Sequence, residues 1–146
     1  MSRKKVLIQS DFSLLKTGFA KNAKIILTHL YKTGKYDIVH YCCGLSEKHP
    51  DLPRTPWKSI GCLPASSEKI AQIEKDPTIN KIAAYGAYYL DDVIEAEKPD
   101  VYIAIQDIWG VDFAVNRKWF NKITSAIWTT LDSLPILPTA IETAKK

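Results

Sequence analysis

Four short polar clusters follow apolar runs in this chain, and each carries a group able to do chemistry. KVLIQS ends in Ser10 and leads into Asp11, and YDIVHYCC ends in His40 to Cys43 and leads into Gly44. Gln106 and Asp107 follow VYIAI, while TSAIWTT ends in Thr130 and is followed by Asp132 two residues on. In an open parallel sheet, ligands bind in the crevice outside the carboxyl ends of the strands. Asp11, Asp107 and Asp132 then become three carboxylates on one rim, able to accept a proton or a hydroxyl hydrogen bond. Asp is also common in loops and at helix caps, so no one of the three is diagnostic alone.

The segment Lys16-Thr17-Gly18-Phe19 stands between the first strand and the first helix. A glycine there lets a ligand approach the backbone. The free N–H groups of the first helical turn carry about half a positive charge behind them, which suits a phosphate or a sugar hydroxyl. Neither G-x-G-x-x-G nor G-x-x-x-x-G-K-[ST] is present, so this is no dinucleotide fingerprint and no P-loop. Trp109, just after Gln106-Asp107, could stack on a sugar ring or serve as a packing residue. Trp128 lies inside a strand run and reads as core. Asp11, Thr17, Gly18, Phe19, Gln106 and Trp109 are therefore the candidate binding residues.

Histidine and cysteine contribute little. His29, His40 and His49 have no metal-ligand spacing, and no serine or cysteine sits in a nucleophile motif. Cys42, Cys43 and Cys62 are odd in number and lack C-x-x-C spacing. Cys42 and Cys43 are adjacent in a strand run and should point to opposite faces. The expectation is reduced thiols, no metal and a cytoplasmic protein.

The elements that must position these groups are legible in the periodicity. Residues 5–10 read as a buried strand. Phe19, Ala23, Ile26, Leu27, Leu30 and Tyr31 recur at helical spacing, with Thr17 as N-cap and Gly34 as stop. Residues 36–43 read as a second strand. Residues 45–67 carry Pro50, Pro53, Pro56 and Pro64 and read as a long connection with one short strand in WKSIGCL. A helix capped by Ser66 or Ser67 covers 68–75. Asp76-Pro77 starts another, which runs on to the residue before Pro99. Residues 101–105 are apolar throughout, as in a buried parallel strand. A short helix over 114–120, a strand over 124–130 and a helix beginning at Pro138 complete the pattern. A helix begun with no element after it suggests one domain cut from a longer protein.

The 146 residues suit a single domain. With 46% hydrophobic and 25% charged residues, the composition argues against disorder. Net charge is +4 with a pI near 8.9, part of it in Arg3-Lys4-Lys5 and Lys145-Lys146. The remainder forms no basic stripe, so nucleic acid is not the expected partner, whereas weak attraction to an anionic membrane surface fits. No apolar run has the length of a membrane span or of a signal peptide. There is no internal repeat.

Together, several segments resemble the amino-terminal half of GT-B glycosyltransferases of the group 1 type. KVLIQSDFSLLKTGFAKNAKIILTHLYKTGKYDIVHYCCG resembles their opening strand, loop and long helix. DDVIEAEKPDVYIAIQD resembles their later helix, turn and strand, and SAIWTTLDSLPILPTAIETAKK their acidic turn and Pro-rich bend. The resemblance spans most of the chain, excepting residues 45–75. It implies an α/β, Rossmann-like three-layer sandwich with a mostly parallel sheet, one half of a GT-B fold, facing a second lobe across a cleft. It further implies transfer of a sugar from a nucleotide-sugar donor to an acceptor, with no metal and no cofactor beyond that donor. By position Gly18 matches the first-loop glycine near the donor phosphates, and Asp107 and Asp132 are the catalytic candidates on the acceptor side. The acidic pair such enzymes carry in their carboxyl-terminal lobe has no counterpart here, so activity is expected only with that lobe. Without it, the exposed apolar face invites self-association as a homodimer.

Two other readings stay open. A flavodoxin-like receiver would need an acidic neighbour for Asp11 and a Lys ending the last strand, and has neither. A non-catalytic Rossmann-like module binding a nucleotide or sugar accounts for the same rim.

Overall fold

The computed structural model describes residues 3–129 and 142–145. Five parallel strands form one sheet in the order β3-β2-β1-β4-β5. They are β1 (Lys4–Asp11), β2 (Tyr36–Ser46), β3 (Lys58–Leu63), β4 (Val101–Ile105) and β5 (Thr124–Trp128). The chain builds outward from β1 to β3, then returns to the other side of β1 for β4 and β5. This is the dinucleotide-type order, distinct from the 2-1-3-4-5 order of flavodoxin-like and receiver domains. The receiver alternative is therefore excluded by topology.

Period-two alternation in β1 feeds both faces of the sheet. Val6 and Ile8 pack with Ile38 and Ile105 beneath Ala23 and Leu27 of α1 (Gly18–Thr33). Leu7 faces the other way, into a cluster with Val39, Tyr41, Tyr102 and Leu90, Val93 and Ile94 of α4 (Leu90–Glu97). The result is an α/β, Rossmann-like three-layer sandwich. The three cysteines are buried and free, and Cys42 packs with Phe12, Leu45 and Leu52. No helix among the described residues is long and apolar enough to cross a membrane.

Local signals explain where elements begin and end. The Thr17 hydroxyl accepts from the Ala20 N–H at 3.1 Å, and Gly34 closes α1 in a left-handed conformation at φ 66°. The proline-rich connection holds a single 3-10 turn, Leu52–Arg54, and then β3. Gly61 of β3 lies so close to the bulge in β2 that a Cβ would stand 2.2 Å from the Ser46 carbonyl oxygen.

Five expectations need correction. The helix from Pro77 does not run to Pro99. It divides into α3 (Pro77–Ala83), a turn, and α4, because Gly86 adopts φ 99°, which no helix tolerates. The helix α2 (Ser67–Lys75) does begin where expected, but the Ser66 side chain makes no cap hydrogen bond. The helix expected over 114–120 lies earlier, as α5 (Ile108–Val111) followed by a 3-10 turn over Asp112–Asn116. Trp128 is half exposed at 50% rather than core, since β5 is the edge strand and its outward residues meet solvent. Tyr31, assigned to the apolar face of α1, is 49% exposed as well. The expected helix at Pro138 lies outside the described residues.

Candidate functional site

The strand order reverses between β1 and β4, the point at which open parallel sheets bind ligands, and several expected residues meet at the carboxyl ends of these two strands. Asp11 ends β1, in register with Cys43 of β2, and Ser10 is in register with Ile105, the last residue of β4. Gln106 Nε2 donates to Asp11 Oδ1 at 2.7 Å. Thr17 Oγ1 donates to Asp11 Oδ2 at 2.6 Å while also capping α1. One carboxylate thus ties the end of β4 to the start of α1. Gln106 is only 3% exposed, and its Oε1 accepts from the Asp107 N–H at 3.1 Å, fixing the turn that leads into α5.

Gly18 is exposed at the first position of α1, and a Cβ there would meet open space. Its φ does not demand glycine, so the fold gives no reason for the residue. The first turn of α1 holds no acidic side chain that would oppose an anion. Phe19 instead turns inward and packs on the α1-side core. Trp109 is 47% exposed and meets the Tyr85 ring edge-on, with centroids 4.9 Å apart. Thr130 and Asp132 lie outside the described residues.

Tyr85 is the rim residue that periodicity conceals. The sequence reads it as one residue of a long helix, yet the Gly86 turn brings it against Trp109. Burial raises its hydroxyl pKa above the ordinary value, and the nearby Asp107, Cys43 and Asp11 raise it further. Gly110 is needed beneath it, because a Cβ would stand 2.7 Å from the Tyr85 ring. The Tyr85 carbonyl accepts from Gln9 Nε2, and Gln9 Oε1 accepts from the Tyr102 hydroxyl. The Tyr41 hydroxyl donates to the Gly86 carbonyl at 2.7 Å. A buried polar network therefore holds the turn that presents Tyr85.

Below the rim, Ser10 Oγ donates to the Asp11 carbonyl at 2.9 Å and stands 2.7 Å from His40 Nε2. Ser10 and His40 are fully buried, so the pair is no nucleophile and base. Cys43, 5% exposed, has its thiol pushed well above the ordinary range, first by burial and then by neighbouring Cys62 and Asp11. It stays protonated at neutral pH. No group of three or more His, Cys, Asp or Glu residues able to hold a metal occurs among the described residues.

The double role of Thr17 separates structure from binding. Thr17→Ala removes a cap and one Asp11 hydrogen bond and should cost about 1–2 kcal/mol of stability, read from the urea midpoint. Gly18→Ala should leave stability unchanged or raise it by up to about 1 kcal/mol. A loss of stability on Gly18→Ala would mean the fold, not a ligand, requires the glycine.

Comparison of this chain with protein-family models, with curated proteins and with solved structures finds no match in any of the three. The fold and the rim stand on their own geometry.

Proposed function

We propose that this chain is the acceptor-side lobe of a glycosyltransferase that uses a nucleotide-sugar donor and works with a second lobe closing over the rim. The observation that carries the reading is the Asp11 carboxylate, held by Thr17 and Gln106 at the point where strand order reverses. It fixes the α1 N-terminus and the Gln106-Asp107 turn as one rigid unit. The exposed Gly18 leaves the backbone N–H groups of α1 open to a phosphate or hydroxyl. As the sugar bond breaks, the leaving diphosphate gains negative charge, and a fixed helix N-terminus stabilises that charge without reorganising. Asp107, half-buried at the start of α5, is the group we assign to take the acceptor hydroxyl proton. Trp109 offers an aromatic plane to a sugar ring. Closure of a second lobe would exclude water and align acceptor with donor.

A second reading has its own support. Both oxygens of Asp11 already accept hydrogen bonds, so this carboxylate positions rather than reacts. That suits a Rossmann-like module that binds a sugar or nucleotide without catalysis.

The deciding experiment pairs two measurements. Amide spectra of this chain, titrated with simple sugars and with UDP-, GDP- and ADP-sugars, should shift at Thr17–Phe19 and Gln106–Trp109 together. The full-length gene product should release nucleotide from one of those donors, and Asp107→Asn should slow release about a hundredfold or more. Rim shifts without nucleotide release from any donor leave the binding module. No rim shift and no release remove both readings.

A further inference from the structure

The outer face of α1 serves neither the core nor the rim. From Phe12 to Tyr36 the chain holds five of its twenty Lys and Arg residues and none of its sixteen Asp and Glu. The rest of the chain is close to neutral, with one acid in excess, so the net positive charge belongs to this segment. Along the sequence these lysines look scattered. On the helix, Lys21, Lys24, Ile25, Thr28 and Lys32 fall at steps of three, one, three and four. That places them on one stripe, opposite the buried Ala20, Ala23 and Leu27. Lys16 and Lys35 stand just beyond its two ends. All five lysines are exposed, and none has an ion-pair partner among the described residues.

Apolar side chains share this ground. Ile25 is 68% exposed, more than any other large apolar side chain described. Leu14, Leu15 and Tyr31 are exposed too, and Leu14 and Tyr31 border one shallow depression with Lys24, Thr28 and Lys32. Isoleucine at such a position helps neither packing nor the helix, since β-branching lowers helix propensity. A lone exposed apolar residue is ordinary. Four of them within one acid-free basic segment match a partner that is anionic and apolar at once.

We propose that this face docks on an anionic membrane surface. The lysines meet lipid phosphates, while Ile25, Leu14 and Leu15 enter the headgroup layer. The apolar stripe of α1 itself is buried in the core, so the contact is shallow and reversible. A nucleic acid would match the lysines but would leave Ile25 against a polyanion, so a membrane fits the face better. Docking here does not depend on what the rim binds.

Vesicle sedimentation tests this. The chain should pellet with vesicles of equal parts phosphatidylcholine and phosphatidylglycerol. It should bind phosphatidylcholine alone at least about tenfold more weakly, and added salt should release it from the anionic vesicles. Each lysine near an anionic surface strengthens binding about fivefold, so Lys21→Gln/Lys24→Gln/Lys32→Gln should weaken it about a hundredfold. Lys75→Gln/Lys118→Gln/Lys122→Gln removes the same charge from exposed positions elsewhere and should stay within about threefold of the wild type. Ile25→Ser should weaken vesicle binding about fivefold or more. Serine matches isoleucine in helix propensity and every substituted side chain is exposed, so urea midpoints should not move. Equal losses from the two triple variants would reduce the effect to net charge. An unchanged Ile25→Ser would leave a patch open to any polyanion, and no binding to anionic vesicles at low salt would leave the face without a membrane. Duplex DNA bound more tightly than the vesicles, with Ile25→Ser unaffected, would assign the face to nucleic acid. Each of these four results overturns the proposal.

Discussion

Gly86→Ala should destabilise this domain by about 3–5 kcal/mol, a large share of the roughly 5–15 kcal/mol that holds a domain of this kind together. Two effects add. At φ 99° a side chain is strained whatever the space, costing on the order of 1–3 kcal/mol. The new Cβ would also stand 2.6 Å from both the Tyr41 ring and Gln9 Nε2, which are buried and cannot withdraw, and such overpacking costs a further 1–3 kcal/mol or so. Gly34→Ala isolates the first effect. Gly34 also has positive φ, but a Cβ there meets nothing, so it should lose only about 1–2 kcal/mol. Urea midpoints for the two variants decide the matter. Equal losses would mean that the turn relaxes and that the Gln9–Tyr102–Tyr41 network does not hold it rigidly.

The same glycine marks the limit of what periodicity can report. Ile79, Ile82, Ala83, Leu90, Val93 and Ile94 keep helical spacing across the break, because each short helix buries its own apolar residues, Ala83 in α3 and Leu90, Val93 and Ile94 in α4. Spacing alone does not register a change of direction between them. Gly86 was the visible signal, and its neighbour Tyr85 reaches the rim only through that turn. The strands were easier. Each of the apolar runs at 5–10, 36–43, 101–105 and 124–130 must be buried on at least one face, and a parallel sheet is the arrangement that accepts them. Asp11 and Gln106 were legible as strand-end residues. That they bond each other was not, because the pairing of β1 with β4 depends on the long return past β2 and β3. Trp128 misled because β propensity does not distinguish an edge strand from a central one.

His40→Leu should change little at neutral pH and should remove much of the domain's sensitivity to acid. With Ser10 Oγ donating to the Asp11 carbonyl, its 2.7 Å contact with His40 requires the imidazole Nε2–H to donate to Ser10. Nδ1 is then the bare nitrogen, buried and without a partner. Protonating it would place a charge and a new N–H where no acceptor waits. Burial accordingly drives the His40 pKa down from 6.5 to about 3, with the Asp11 carbonyl pulling weakly the other way. In the unfolded chain the imidazole titrates near 6.5. Above that pH His40 is neutral in both states and adds no pH dependence. As pH falls from about 6.5 towards 3, the unfolded state takes up the proton and the folded state does not. Stability is therefore lost at up to about 1.4 kcal/mol per pH unit, a total of several kcal/mol, and the decline levels off near the folded value. Leucine fills a similar volume, and Ser10 keeps its bond to the Asp11 carbonyl, so the neutral-pH cost should stay near 1 kcal/mol. Urea unfolding from pH 7.5 to 4 reads the difference. Parallel stability curves for the wild type and His40→Leu over that window would show that the imidazole is solvated in the folded state, and would remove His40 as the buried post beneath Asp11.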